Sequence, residues 1–372
     1  MEKQNLFSPV KLGDLTLKNR IFFSASTRTR VDEDDVLLPI AAKYYAQRSS
    51  AGLIITEATY ITPGGKVRTS QPGIFSSEQI AAWKSVTHGV HVDGGVIFAQ
   101  LAHSGRSAIP QFNNGLDAVA PSSLAFDSGA HGKVSGQSDE ESLPRELSIP
   151  EIKVLIKTYG KAAENAIKAG FDGVELHGGN AGLVEQFLHA VSNIRTDEYG
   201  GNIENRSRFL LEVIDELIEV CGKDRVGLRL SPHDRLSDQK DPDPIATVTY
   251  LATELAKRGI GYMNILEPFN KFDAFIPFPE GDPEVLATIR SIFKGLLIAN
   301  GGYDLQTGND AIETQQADAI GFARLFIANP DLPYRFENNL PLNAPDFSTF
   351  YGTGEKGYLD YPVWQDATLK TI

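Results

Sequence analysis

The chain has 372 residues, of which 41% are hydrophobic and 22% charged, and its net charge is −13. This composition is typical of a globular protein with a large core, and the acidic balance argues against nucleic acid or an anionic membrane as a partner. The single cysteine, Cys221, excludes an internal disulfide and a cysteine-based metal site. No segment resembles a signal peptide or a membrane span, so we expect a soluble, cytoplasmic protein.

An alternating pattern opens the chain, and strand–helix pairs follow it. Residues 6–19 alternate around a Gly-Asp turn and predict a small hairpin. Short apolar strands are predicted at residues 20–24, 52–59, 96–101, 173–177, 226–231, 262–266, 296–300 and 319–322. Helices are predicted between them at residues 39–51, 78–91, 150–169, 205–221, 245–258 and 305–315, with one more after strand 262–266.

Eight strands alternating with helices predict a parallel sheet that helices cover. No G-x-G-x-x-G motif follows the first strand, so a closed barrel fits better than an open doubly wound sheet. We therefore predict an α/β fold: a single (β/α)8 TIM barrel over residues 1–372 with an N-terminal hairpin. Residues 107–150 form a long excursion after the third strand, rich in Gly, Ser, Pro and Asn, and are a candidate lid or specificity region.

The ends of the predicted strands carry polar side chains, and the C-terminal ends of barrel strands form the active site in such folds. His177 and Asn180 follow one strand directly. An imidazole and a carboxamide at one strand end can donate two hydrogen bonds to a single oxygen, which would polarise a carbonyl group. The alternative is that both residues only cap a loop.

A second set of residues predicts a cofactor site. Glycines follow the last two strands, at residues 300–302 and 321–324, where exposed backbone N–H groups and Arg324 can bind a phosphate. Gln100 can pair with an imide N–H and a carbonyl, and Arg229 can stabilise negative charge at N1 of a reduced flavin. The phosphate site alone would fit phosphosugar enzymes equally well.

Ten ordered blocks extend over nearly the whole chain, among them LFSPVKLGDLTLKNRI, QLAHSGR, AGFDGVELHGGN, NIRTDEYGGNIENRSRFLLEV and FYGTGEKGYLDYP. They resemble the Old Yellow Enzyme family of FMN-dependent ene-reductases, and most closely the branch of morphinone, pentaerythritol tetranitrate and N-ethylmaleimide reductases. The resemblance implies bound FMN, NADPH or NADH as reductant, and an enone or other electron-poor small molecule as substrate. It leaves a monomer and a homodimer open.

The resemblance also implies roles for individual residues. The catalytic set is His177 and Asn180, which grip the substrate carbonyl so that hydride from flavin N5 can reach the β-carbon, and Thr27, which tunes the flavin potential. The implied FMN-binding residues are Ala25, Ser26, Thr27, Ala58, Gln100, His177, Arg229, Asn300, Gly301, Gly302, Ala323 and Arg324. The implied substrate pocket comprises Arg68, Ala102, His177, Asn180, Gly182 and Tyr351. No metal site is expected, because the histidines lack metal-ligand spacing.

Four departures set the chain apart from the usual family pattern, and one of them is Ala25-Ser26 in place of Pro-Leu before Thr27. Gly182 stands where a tyrosine normally protonates the substrate α-carbon, although morphinone reductase-like members also lack it and still reduce alkenes. Ala102 replaces a tryptophan, so the pocket is expected to be larger. Arg68 replaces a tyrosine and can either meet an anionic group of the substrate or point into solvent.

Three functions follow from this sequence. The first is NAD(P)H-dependent reduction of the C=C bond of α,β-unsaturated carbonyl compounds, with possible reduction of nitroesters or nitroaromatics. The second is a redox-neutral FMN isomerase or cyclisation enzyme, because Gly182 has no proton to give. The third is a barrel that binds a ligand without catalysis, which the presence of the implied FMN-site residues disfavours.

Overall fold

An antiparallel hairpin precedes the barrel, as predicted. The computed structural model describes residues 5–126, 143–233, 241–267 and 284–364. In the hairpin, β1 (Val10–Leu12) pairs with β2 (Leu15–Leu17). Gly13 forms the turn with φ +57°, a left-handed conformation that glycine adopts without strain.

The barrel strands are parallel and close into a ring, so the predicted barrel is confirmed. They are β3 (Ile21–Phe23), β4 (Ile54–Ile55), β5 (Thr59–Tyr60), β6 (Ile97–Ala102), β9 (Gly173–Gly178), β10 (Val226–Leu230), β11 (Tyr262–Leu266), β12 (Leu296–Asn300) and β13 (Ala319–Phe322). The order β4-β3-β13-β12-β11-β10-β9-β6 closes because β6 also pairs with β4, and β5 extends the β4 position along β6. Strands β7 (Val119–Ala120) and β8 (Arg145–Glu146) pair separately.

One predicted strand, residues 52–59, is wrong as a continuous element, because it consists of β4 and β5 with a break at Glu57. Side chains hold the backbone there in place of a neighbouring strand. The Glu57 N–H donates to the Tyr45 hydroxyl (3.1 Å), and the Glu57 carbonyl accepts from the Thr59 hydroxyl (2.9 Å). The break turns the Glu57 carboxylate towards the backbone N–H of Arg28 (2.8 Å).

Helices follow the strands around the outside. They are α1 (Ile40–Ala46), α2 (Ser77–Val92), α3 (Ile149–Lys168), α4 (Leu183–Leu188), α5 (Ile203–Cys221), α6 (Pro244–Arg258), α7 (Glu284–Ile292), α8 (Leu305–Glu313), α9 (Arg324–Ala328) and α10 (Leu332–Glu337). Ser76 and Ser148 begin α2 and α3 with capping boxes. Helices α4, α9 and α10 were not predicted, since five or six residues show too little periodicity.

The barrel interior changes from apolar to polar along its axis. At the N-terminal end, inward side chains such as Phe22, Phe98 and Tyr262 pack with Leu12 and Leu17 of the hairpin, which closes that end. Two or four residues further along the same strands, the inward positions become polar because side chains of a strand alternate with a period of two. The polar inward residues are Ser24, Glu57, Gln100, Glu175, His177, Arg229, Asn264 and Asn300.

Candidate active site at the C-terminal end of the barrel

The predicted site residues lie at one end of the barrel. Ala25, Ser26 and Thr27 follow β3, Ala58 lies between β4 and β5, Gln100 and Ala102 end β6, and Arg229 lies in β10. His177, Asn180 and Gly182 end β9 or follow it, Asn300, Gly301 and Gly302 end β12 or follow it, and Ala323 and Arg324 follow β13. Arg68 belongs to the loop after β5, and Tyr351 belongs to the C-terminal segment. Barrel closure therefore brings residues from seven strand positions to the same end.

His177 is a neutral imidazole in this environment. It pairs in register with Arg229 on the neighbouring strand, so both side chains point to the same face. Burial, followed by the charge of Arg229, lowers the pKa of His177 to about 3. Its Nδ1 atom is buried and has no hydrogen-bond partner among the described residues. A buried ring nitrogen left in this way is unusual, and a bound ligand would satisfy it.

The turn after β9 brings Gly182 back against His177. Asn180 and Ala181 have φ values of +52° and +58°, and the Gly182 N–H donates to the Gly179 carbonyl at 3.0 Å. The buried Glu185 carboxylate accepts from the Ala181 N–H at 2.5 Å and fixes the strained turn. A Cβ atom built on Gly182 would lie 3.4 Å from Cδ2 of His177. Any side chain at residue 182 would therefore emerge beside this imidazole.

A chain of buried hydrogen bonds crosses the barrel beneath His177. Glu175 Oε1 accepts from Gln100 Nε2 at 2.7 Å, and Glu175 Oε2 accepts from Asn264 Nδ2 at 2.8 Å. Asn264 Oδ1 accepts from Asn300 Nδ2, and Asn300 Oδ1 accepts from the Ser24 hydroxyl. Burial raises the pKa of Glu175, while Arg229 and the amide donors oppose that shift. Glu175 and Asn264 were not among the predicted site residues, although a carboxylate inside a buried strand is a visible signal.

The glycines after β12 provide the close backbone approach that a phosphate site needs. Gly301 and Gly302 have φ values of +134° and +73°, and a Cβ on Gly301 would lie 2.6 Å from the Glu267 carbonyl oxygen. On the next strand, a Cβ on Gly321 would lie 2.0 Å from Asn300 Oδ1. These positions require glycine, and Arg324 supplies a cation beside them. An amide, a guanidinium and a glycine turn at one end of a barrel fit the ring and phosphate of FMN.

Arg68 and Tyr351 meet at the mouth of the site. The Arg68 guanidinium carbon lies 4.8 Å from the centre of the Tyr351 ring, and 52% of Tyr351 is exposed. No carboxylate within the described ranges forms an ion pair with Arg68. Arg68 is half-buried, so its side chain does not point freely into solvent.

Two buried arginines attach the segment that carries Tyr351. Arg30 donates to the carbonyls of Thr349, Phe350, Gly354 and Lys356, and Arg28 donates to those of Phe350 and Gly357. Both arginines follow Thr27 closely, so the C-terminal segment is anchored next to the end of β3. The sequence analysis assigned no role to either residue.

Two buried side chains, those of His103 and Arg106, anchor the loop after β6. His103 Nδ1 accepts from the Gly105 N–H at 2.9 Å, and Arg106 donates to the Ala125 carbonyl at 2.8 Å. Burial lowers the pKa of His103 to about 4. Part of the predicted lid or specificity region, residues 127–142, lies outside the described residues.

Comparison with known proteins shows which family the chain belongs to. The model of the NADH:flavin oxidoreductase / NADH oxidase family matches residues 5–343. The chain belongs to this family. The predicted membership among Old Yellow Enzymes, FMN-dependent oxidoreductases that use a nicotinamide reductant, is thereby confirmed. Among the described residues, no helix could span a membrane and no group of three or more His, Cys, Asp or Glu side chains could hold a metal ion.

Similar proteins match almost the full length of the chain. A probable flavin mononucleotide-dependent alkene reductase of Leishmania infantum is 40% identical over 362 residues, which cover 96% of this chain and 97% of the relative. The 12-oxophytodienoate reductase 1 of Oryza sativa subsp. japonica is 41% identical over 368 residues, covering 97% and 93%. Solved morphinone reductase has a TM-score of 0.89 at 43% identity, covering 98% and 97% of the two chains. The Old Yellow Enzyme homologue of Zymomonas mobilis has a TM-score of 0.91 at 39% identity, covering 97% and 100%.

Proposed function

We propose that the enzyme reduces the activated C=C bond of α,β-unsaturated carbonyl compounds, and that His177 and Asn180 bind the substrate carbonyl oxygen. Bound FMN would supply the hydride, and NADPH or NADH would then reduce the oxidised FMN again. Gln100, Arg229, Thr27 and the remaining predicted FMN residues would hold the ring and the phosphate. Hydrogen bonds to the carbonyl oxygen stabilise the negative charge that develops there when the β-carbon accepts hydride.

The observation that carries this proposal is the state of His177. Its pKa of about 3 keeps the imidazole neutral throughout the neutral pH range. A neutral ring offers one N–H donor and one acceptor nitrogen, so it can donate to a carbonyl oxygen without surrendering a formal charge. The buried Nδ1 atom, which has no hydrogen-bond partner among the described residues, supports a role in binding a ligand.

The test is an anaerobic oxidative half-reaction. Purified enzyme with reduced flavin is mixed with 2-cyclohexenone, and the return of oxidised flavin absorbance is followed together with the saturated ketone formed. We expect rapid reoxidation in the parent and a rate about 100-fold lower in His177→Ala, as for loss of one oxyanion donor. His91→Ala is the matched control, because His91 lies on α2 and pairs with Asp172. Equal rates in both variants would contradict the proposed role.

Gly182 favours a second candidate, a redox-neutral isomerase or cyclisation enzyme. No side chain at this position can deliver a proton to the substrate α-carbon, so hydride placed on the β-carbon could be returned. Stoichiometry separates the two functions. Net reduction consumes one NAD(P)H per product, whereas a redox-neutral reaction consumes none. Reoxidation by a nitroester or nitroaromatic compound, but not by an enone, would instead favour nitro-compound reduction.

We further propose that Arg68 binds an anionic group of the natural substrate. Its guanidinium stacks on Tyr351 at the mouth and has no carboxylate partner among the described residues. A carboxylate-bearing enone should therefore have a KM that rises at least about 10-fold in Arg68→Met, as expected for a lost charged hydrogen bond. Arg68→Lys retains the charge and should lose less. The KM for neutral 2-cyclohexenone should hardly change, and an equal rise for both substrates would contradict the proposal.

The remaining features are proposed from the sequence. We propose one domain over residues 1–372, a cytoplasmic enzyme, and a monomer or homodimer that light scattering coupled to size-exclusion chromatography would distinguish. The choice between NADPH and NADH is measured by the reductive half-reaction with each. A barrel without catalysis would show no flavin reduction with either nucleotide.

A further inference from the structure

The buried carboxylate of Glu175 controls which end of the Gln100 side chain faces the ligand. An ionised carboxylate can only accept hydrogen bonds. Glu175 Oε1 accepts from the Gln100 NH2 group at 2.7 Å and Oε2 accepts from Asn264 at 2.8 Å, so amide donors face both oxygens of this carboxylate. The Gln100 carbonyl oxygen and the second N–H are thereby directed away from Glu175. A glutamine next to an apolar side chain or a hydroxyl would have no such fixed orientation.

Glu175 also orients two asparagine amides on the far side of the barrel. The second oxygen of Glu175 accepts from Asn264 at 2.8 Å, which leaves the Asn264 carbonyl to accept from Asn300. One acceptor-only group therefore sets the direction of three consecutive amides in a layer that is 0–4% exposed. Such fully satisfied buried networks are rigid, and a partly satisfied one is strongly destabilised.

We propose that Glu175 is a positioning residue, which fixes the polarity of the Gln100 amide and thereby the fit of the FMN pyrimidine edge. A flavin pyrimidine presents an N–H donor between two carbonyl acceptors. The orientation imposed by Glu175 presents an acceptor together with a donor, which is the complementary pattern. Glu175 itself does not need to touch the cofactor. The inference rests on the proposed contact between Gln100 and FMN.

Two substitutions at the same position separate polarity from packing. Glu175→Gln keeps the shape but replaces an acceptor-only group with one that must also present an NH2, so either Gln100 or Asn264 meets a donor. Glu175→Asp keeps the acceptor-only carboxylate but shortens the side chain. We expect the FMN dissociation constant to rise about 10- to 100-fold in the Gln variant and no more than about threefold in the Asp variant. A purely structural role predicts the opposite order, with the isosteric Gln variant less affected.

The measurement is FMN titration of flavin-free protein, followed by quenching of FMN fluorescence, with urea unfolding of each flavin-free variant as a check of the fold. The midpoint potential of the bound FMN is a second measure. It should shift in Glu175→Gln, because the hydrogen bonds that Gln100 offers to the flavin change, and should change little in Glu175→Asp. If Glu175→Gln failed to fold, a loss of FMN affinity of about 10-fold or more in Glu175→Asp would overturn the proposal, because that variant keeps the acceptor-only carboxylate.

A double-variant cycle shows whether Glu175 acts through Gln100. Gln100→Leu alone should weaken FMN binding, and adding Glu175→Gln to it should change the dissociation constant by less than about twofold. Additive effects of the two substitutions would overturn the positioning role. If Gln100→Leu left FMN binding unchanged, the proposed contact between Gln100 and FMN would itself be wrong, which is a separate failure.

Discussion

Replacing Gly182 with tyrosine tests whether the missing proton donor limits the reaction. Gly182 has φ −70° and ψ 164°, an extended conformation that any residue adopts. A Cβ there would lie 3.1 Å from the Gly179 carbonyl oxygen, 3.4 Å from His177 Cδ2 and 3.5 Å from the His103 carbonyl oxygen. The neighbours must move by a few tenths of an ångström, and the side chain would begin beside the imidazole that is proposed to bind the carbonyl.

The expected magnitudes differ for stability and for rate. Replacing a glycine whose backbone conformation other residues can adopt stabilises the folded protein by about 0.4–1 kcal/mol, because the unfolded chain then has less conformational entropy to lose. Gly182 is the N-cap residue of α4, where glycine is preferred over residues without a short polar side chain, so its loss offsets part of this gain. We therefore expect a net change in unfolding free energy within about 1 kcal/mol. A positioned general acid contributes about 10²- to 10⁴-fold. Reoxidation of reduced flavin by 2-cyclohexenone should therefore accelerate by about 100-fold or more if protonation limits the parent enzyme.

Gly182→Phe is the matched control, because it introduces the same ring without the hydroxyl. Stopped-flow absorbance under anaerobic conditions gives the rate for each variant in H2O and in D2O. The parent should show a solvent isotope effect that falls in Gly182→Tyr and persists in Gly182→Phe. If the tyrosine and phenylalanine variants reoxidised at the same rate, Gly182 would not mark a missing acid, and another group would already donate the proton.

Four further outcomes follow from the geometry. Because the pKa of His177 is about 3, kcat/KM for enones should show no inflection from this residue between pH 5 and 8 in a pH-rate profile. Burial lowers the pKa of His103 from 6.5 to about 4. Between these two pH values the unfolded state binds more protons than the folded state, so the free energy of unfolding falls as the pH falls. Urea titrations should show a weaker pH dependence of this free energy in His103→Gln. Arg30→Met should lower the unfolding free energy by on the order of 3 kcal/mol, measured in urea, because buried carbonyls lose a charged donor. Ala102→Trp should reduce kcat/KM for bulky enones while sparing 2-cyclohexenone, measured by steady-state kinetics.

The sequence was sufficient for the fold because every barrel strand is short, apolar and bounded by polar residues. Strands β11, β12 and β13 were predicted with their observed limits. The strand predicted over residues 52–59 failed, because the Tyr45 and Thr59 hydroxyls hold the backbone of Glu57 in place of a neighbouring strand. These contacts depend on where the Tyr45 and Thr59 hydroxyls lie in the folded chain, and local periodicity carries no trace of them.

Positions in the site were predictable for a different reason. Residues at strand ends must meet once the barrel closes, so His177, Gln100 and Arg229 could be grouped without coordinates. The partner of Gln100 could not be found in this way. Glu175 stands in the middle of the strand GVELH, two residues before His177, and only the register between β6 and β9 places it opposite Gln100. Its role depends on pairing between strands, which one sequence does not specify.

The residues proposed to set the size and charge of the pocket, Ala102, Gly182 and Arg68, belong to neighbouring segments on one side of the barrel mouth. The Leu183 N–H donates to the His103 carbonyl at 2.8 Å, so the turn containing Gly182 lies against the end of β6, next to Ala102. We therefore expect the space left by Ala102 and Gly182 to form one extension of the pocket between β6 and β9. The loop that carries Arg68 borders the same strand end, since the Ser104 N–H donates to the Gly65 carbonyl at 2.8 Å. A substrate that fills this extension with apolar bulk would bring an anionic end towards Arg68, so the two proposed specificity features select one kind of molecule: a large, negatively charged enone.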